Sequence, residues 1–245
     1  MAARQILSRL LGLLGVCVTT GAAWAGPAAV TEARFTHPTT HYTHGVLGDA
    51  VEYAGLEVTD ATGQRHQFQF APNTRVFEDI APRLWDLTGD GQPEIVVVET
   101  DPAQGAQLAI YALGPEGIAK LAATPHIGAP NRWLAPVAAA DFDGDEQIEI
   151  GYIDRPHLAK RLRLWRYAAG ELRPVAELEG LTNHRIGWDH IPGGLRLCDG
   201  VAEMITADGD WRRIMAVRMA GGALRARVVG RYDGPESLTR ATRCN

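Results

Sequence analysis

Asp86-Leu87-Thr88-Gly89-Asp90-Gly91-Gln92-Pro93-Glu94 runs directly into Ile95-Val96-Val97-Val98 and sets the reading of the whole chain. Oxygen-bearing side chains stand at loop positions one, three, five and nine, with glycines at four and six. Small hard cations such as Ca2+ take about six to eight oxygens, which alternating ligands on a tight glycine-rich turn can supply. The pattern recurs 55 residues later as Asp141-Phe142-Asp143-Gly144-Asp145-Glu146-Gln147-Ile148-Glu149, again before a β-prone segment. Asp-Gly-rich segments are often plain turns. Two copies with one spacing, each before a strand, favour a repeat over that reading.

The repeat extends beyond the loop. Each copy is preceded by Ala-Pro (Ala81-Pro82, Ala135-Pro136) and followed by strand, loop, strand, turn and strand. The later strands are Leu108 to Tyr111 and Ile118 to Leu121 in one unit, Leu162 to Tyr167 and Leu172 to Leu178 in the next. A third copy keeps Asp199-Gly200-Val201-Ala202-Glu203, but Leu195 and Leu197 stand where the first two ligands would be. A fainter one, Gly48 to Glu52, precedes a hairpin over residues 56–70. Units starting near His41, Arg75, Arg132 and His184 fill the chain. Four strands in about 50 residues is the content of a propeller blade.

Residues 1–25 read as a cleaved leader. Arg4 and Arg9 form a basic start, Leu10 to Val18 a short apolar core, and Ala23-Trp24-Ala25 an A-x-A site. The expected product is residues 26–245 as one domain in a periplasmic or secreted setting, with residues 26–40 a loosely held arm. No other segment reads as transmembrane. Cys198 and Cys244 then remain as an even pair in an oxidising compartment, and a disulfide between them is expected.

The chain has 245 residues, 46% hydrophobic and 22% charged, which is ordinary for a globular protein. Its 24 basic side chains become 22 once Arg4 and Arg9 leave, against 29 acidic ones. Residues 26–154 carry 6 basic and 19 acidic side chains; residues 155–245 carry 16 and 10. The arginines of the basic half are spread singly along strand-like segments, so no nucleic-acid footprint is expected.

DLTGDGQPE followed by IVVV resembles the D-x-[DN]-G-D-G-x-x-[DE] core of the FG-GAP, or VCBS, repeat of integrin α-like β-propellers. DFDGDEQIE keeps every acidic position but has Glu146 where that family usually has glycine. The resemblance implies an all-β fold, here a small propeller-like ring of about four four-stranded blades. It also implies structural Ca2+, one or two ions. The ligands would be Asp86, Thr88, Asp90, the Gln92 carbonyl and Glu94, and Asp141, Asp143, Asp145, the Gln147 carbonyl and Glu149. The first set, with a threonine in place of one acid, is expected to bind more weakly. An EF-hand is excluded, because its position twelve falls on Val97 and a strand follows.

At the unit entrances, Thr74-Arg75, Asn131-Arg132 and Asn183-His184 place a cationic or imidazole group after a small polar residue. Arg75, Arg132 and His184, with His41, could converge on an anion-receptive site; the alternative is local pairing with acids such as Glu78, Asp79 or Asp189. His37, His41 and His44 read as surface histidines rather than a zinc site. Asp154-Arg155-Pro156-His157 and Trp188-Asp189-His190 set acids near histidines, the raw material of acid–base chemistry. No nucleophile elbow, zinc-protease helix or phosphate loop occurs. The function expected is a calcium-stabilised, non-catalytic binding or structural module of the cell envelope. Its partner would be a protein or a small anionic ligand. The alternatives are a hydrolase or lyase, or a calcium-dependent adhesin.

Overall fold

A computed structural model describes residues 28–244, so the leader expected over residues 1–25 lies outside the described residues. Four successive antiparallel units follow one another. The first holds β1 (Val30–Thr39), β2 (Glu52–Asp60) and β3 (Arg65–Gln69). The second holds β4 (Val76–Phe77), β5 (Arg83–Trp85), β6 (Glu94–Asp101), β7 (Gly105–Gly114) and β8 (Gly117–Ala123). The third is β9 (Leu134–Ala140), β10 (Glu149–Asp154), β11 (Arg161–Ala168) and β12 (Glu171–Glu179). The last comprises β13 (Leu181–Thr182), β14 (Gly194–Cys198), β15 (Val201–Asp208), β16 (Arg213–Ala220) and β17 (Ala223–Arg231), closed by the helix α1 (Pro235–Ala241).

Short β4 and β5 pair in tandem along one edge of β6, and β13 and β14 do the same along β15. Each therefore acts as one interrupted inner strand, giving three four-stranded meanders. The first unit is not a separate sheet. Tyr53 pairs with Phe77 and Val76 with Thr100, so β4 welds β2 to β6 in one eight-stranded sheet.

Hairpin turns follow from local chemistry. Ala169-Gly170, Asp199-Gly200 and Gly221-Gly222 all have positive φ at both positions. That is the mirror-image turn whose twist matches antiparallel strands, and glycine at the second place makes it accessible.

The middle strands show why the units stack. β6 and β10 are almost wholly buried, yet successive side chains of a strand face opposite ways. Ile95 and Val97 enter a cluster with Leu56, Phe77 and Tyr111, while Val96 and Val98 enter one with Trp133, Leu134 and Ile150. Ile153 then joins Leu162, Leu164 and Met204, and on β15 Ile205 and Ala207 join Leu238 of α1. Each middle strand is thus sandwiched between neighbours, and burying each such aliphatic side chain contributes about 1.5–3 kcal/mol. The outer face of the last unit is covered by α1 rather than by another sheet.

Two expectations are corrected. Residues 30–39 are not a loose arm; they form β1, in register with β2 from Val30–Asp60 to Thr39–Glu52. Phe35 fixes it, stacking on Phe77 at 5.1 Å and on Tyr53 at 5.9 Å. The first unit therefore starts at Val30, not near His41. The connection after β1 reaches the last unit, where the Gly187 amide donates to the Val46 carbonyl at 3.0 Å. Gly48, at φ +98°, is required there, since a Cβ would sit 2.8 Å from the Gly187 oxygen. Cys198 and Cys244 are joined by a disulfide, which ties the tail after α1 to the β14–β15 hairpin.

Candidate functional site

The two acidic loops share four backbone-to-carboxylate hydrogen bonds at matching positions. In the first, Asp86 accepts from the Gly89 and Gly91 amides (2.7 and 2.9 Å), Asp90 from Gln92 (2.8 Å), and Glu94 from Leu87 (2.8 Å). In the second, Asp141 accepts from Gly144 and Glu146 (2.6 and 2.9 Å), Asp145 from Gln147 (3.0 Å), and Glu149 from Phe142 (3.0 Å). Gly91 and Glu146 occupy the same left-handed position, φ 79° and 67°. Glu146 holds it at a cost of roughly 1–2 kcal/mol.

The loops differ in what neutralises them. Arg166 on β11 lies opposite Glu149 on β10. Its guanidinium meets Asp143 Oδ2 and Asp145 Oδ2, both at 2.8 Å, and Nε donates to Glu149 Oε1 at 2.7 Å. Among the described residues only this loop draws three carboxylates, Asp141, Asp143 and Glu149, within 4.8 Å of one another. A protein cation thus stands among them. In the first loop the residue after Tyr111, in the place Arg166 takes after Trp165, is Ala112. Among the described residues no basic side chain pairs with Asp86, Asp90 or Glu94. Three carboxylates, a hydroxyl and a carbonyl without a counter-charge fit a hard divalent cation; the second set is already matched by a guanidinium fork. The strand register thus gives the second loop a guanidinium partner that the first loop lacks among the described residues.

Away from the loops, a cavity of about 300 Å³ opens between the connections of three units. His44 comes from the β1–β2 connection, Asn131, Arg132 and Trp133 from the approach to β9, Arg155, His157 and Leu158 from the β10–β11 connection, and Ile186 from the β13–β14 connection. Trp133 is the floor, 2% exposed, its indole N–H donating to the Glu78 carbonyl at 2.8 Å. Asn131 and Arg155 are held at φ 53° and 46°. Left-handed non-glycine residues persist only where surrounding structure fixes them, and they concentrate at functional sites.

Hydrogen bonding settles the imidazole tautomers. The Trp188 carbonyl can only accept, so His184 donates through Nε2 (3.0 Å) and its Nδ1 accepts from His157 Nε2 at 3.1 Å. Burial holds both rings at about 4, so the relay is neutral at physiological pH and His157 keeps Nδ1 as an acceptor. His44 Nδ1 lies 2.6 Å from an oxygen of wholly buried Glu78, and Thr100 donates to the other Glu78 oxygen at 2.6 Å. Arg155 is bidentate to Asp154 (2.8 and 3.0 Å). Arg132 donates to its neighbour's carbonyl and, among the described residues, has no acidic partner.

Behind His44 lies a group of buried acids. Burial first, then the charges of Glu78, Asp49 and Asp79, push Glu52 up to about 9. Its folded value exceeds its unfolded one, so its contribution is intact below about 4.5 and is lost as pH rises toward 9. Glu52→Gln removes that slope. We expect the difference in melting temperature, variant minus wild type, to grow steadily between pH 5 and 9; a constant difference rejects the assignment.

The structure distributes the entrance residues unequally. Arg132 lines the cavity, and His184 supports it from behind. Arg75 is instead engaged with Glu99 at 2.7 Å, together with Lys120, Gln107 and Tyr111. His41 hydrogen-bonds Thr39 at 2.9 Å and does not line the cavity. Asp189 and His190 pair with each other at an exposed position. His44, Glu78 and Arg155 were not selected from the sequence as ligand residues, although the acid–histidine run from Asp154 to His157 contains the signal for the last.

Stacked four-stranded units carrying aspartate-rich loops before their middle strands define a β-propeller-like repeat protein. Residues 86–152 match the FG-GAP-like repeat, a stretch that contains both loops, β6 to β9 and the start of β10. No curated protein matches the chain.

Proposed function

We propose that this is a calcium-stabilised, exported, non-catalytic binding module that takes a small anionic ligand in the cavity over Trp133. The observation that carries the reading is the convergence of residues from three units on one cavity, with the Arg132 guanidinium free of any acidic partner among the described residues. A guanidinium offers a planar fork to a carboxylate or phosphate. Neutral His157 adds a hydrogen-bonding edge without competing charge, and Leu158 and Ile186, 65% and 70% exposed, give the rim an apolar side. Calcium belongs to the first loop, where Asp86, Thr88, Asp90, Glu94 and the Gln92 carbonyl would hold it. Its chemistry there is neutralisation and cross-linking of the loop. Export is supported by the disulfide, which suits an oxidising compartment; no helix among the described residues is long and apolar enough to cross a membrane.

The test is a calorimetric titration with inorganic phosphate and with a panel of aliphatic and aromatic monocarboxylates. At least one anion should bind the wild type, and Arg132→Gln should weaken it about 10-fold or more, the scale of one charge-assisted hydrogen bond. No binding, or equal binding by the variant, removes the reading. A second reading, hydrolase or lyase chemistry at the same cavity, is favoured by the short His44–Glu78 contact. Recovery of the bound compound unchanged after incubation separates binding from turnover.

A further inference from the structure

A different face, on the last unit, carries a charge arrangement that folding alone does not call for. Arg196 pairs with Glu203 across β14–β15, and Arg218 stands directly opposite Arg225 across β16–β17. One position on from Met204–Val217, Glu203 faces Arg218, so Arg196, Glu203, Arg218 and Arg225 form one row across four strands. Like charges directly opposite each other destabilise a sheet. Arg196 and Arg227 both bond Glu203, at 2.5 and 3.0 Å, whereas Arg218 and Arg225 have no acidic partner among the described residues. Charged residues protect sheet edges from unwanted pairing, but β16 lies inside its sheet, so edge protection does not account for Arg218.

The tail adds to the row. The disulfide brings Arg243, beside Cys244, to an open groove of about 570 Å³ that Arg218 and Arg227 also line. Arg196 Nη1 donates to the Ala241 carbonyl at 3.4 Å, a second tie between tail and sheet. Val201 and Val228, 42% and 50% exposed, give the same groove apolar contact surface.

We propose that this groove is a docking site for an acidic, partly apolar peptide segment of a protein partner. Charge complementarity names the partner: free guanidinium forks match side-chain carboxylates, in a chain whose acidic groups otherwise outnumber its basic ones. The apolar valines beside the arginines favour a peptide over a sulfated glycan. Among the described residues no aromatic side chain lines the groove, which leaves nothing there for nucleobases to stack on. The oxidised tail is part of the site, since it positions Arg243.

The experiment uses residues 26–245 in oxidised form and a fluorescein-labelled peptide alternating glutamate and valine, read by anisotropy at low salt. Sulfated oligosaccharide and anionic phosphatidylglycerol vesicles serve as competing probes. Expected is saturable binding that weakens at least 10-fold at 0.5 M salt and in the double variant Arg218→Gln/Arg243→Gln, which removes two guanidinium groups that line the groove. Cys198→Ser/Cys244→Ser should weaken it about 3-fold or more while the circular dichroism spectrum is kept. The proposal is overturned if the peptide fails to bind, if the arginine variant binds equally, or if the oligosaccharide or vesicles bind more tightly. Salt-sensitive self-association of the wild type in sedimentation, abolished by the arginine variant, would also overturn it, by making a second copy the occupant.

Discussion

Replacing Arg166 by methionine should cost about 3–5 kcal/mol in calcium-free buffer, because it leaves wholly buried Glu149 without its counter-charge beside Asp143 and Asp145. In the wild type a guanidinium stands in the second loop, so only the first should respond to calcium. In Arg166→Met the second loop regains an unmatched set of carboxylates. Calcium should then recover much of the lost stability, and the calcium-induced rise in melting temperature should be larger in the variant than in the wild type. Saturating a single site at 100 times its Kd contributes about 2.7 kcal/mol. Urea unfolding with chelator and with millimolar calcium measures both effects. An unchanged midpoint in chelator, or a calcium response no larger than that of the wild type, contradicts the role given to Arg166.

Trp133→Ala should be comparably severe. The side chain is among the largest that are fully buried, it packs edge-on against His184 at 4.8 Å, and it bonds the Glu78 carbonyl. Removing a buried tryptophan costs about 3–5 kcal/mol, which for a domain of this size lowers the melting temperature by roughly 6–20 °C. Trp133→Phe separates two contributions. It keeps most of the apolar contact but orphans the Glu78 carbonyl, at about 1–3 kcal/mol. If Trp133→Phe loses as much as Trp133→Ala, the hydrogen bond rather than the packing dominates; if neither loses more than 1 kcal/mol, Trp133 is not the floor on which the cavity rests.

What could be read in advance follows the range of the interactions. The loops and the strands after them were legible because their signals are local: glycines at left-handed positions, acids at fixed spacing, and apolar runs where both faces are covered. β1 was hidden because Val30 and Phe35 are its only large apolar side chains in a Thr- and Pro-containing stretch, and its reason to be a strand lies in Phe77, 42 residues away from Phe35. α1 has only seven residues, too few turns to show a helical apolar period. Among site residues, Arg132 was visible as an entrance residue. Glu78 and His44 were not, since a contact across 34 residues of sequence leaves no local trace. Arg166 looked like one of several strand arginines until the Glu149–Arg166 register placed it over the acids.

The helix at the end of the chain has an evolutionary consequence. Every inner unit presents two apolar faces and needs a neighbour on each, whereas α1 supplies Leu238 to the last face and asks for nothing beyond it. In a stack held by nearest-neighbour interfaces, a sheet face covered by a helix is closed to another sheet. Duplication of an inner unit would lengthen the stack without disturbing either end, while loss of seven helical residues would leave a sheet face open and sticky.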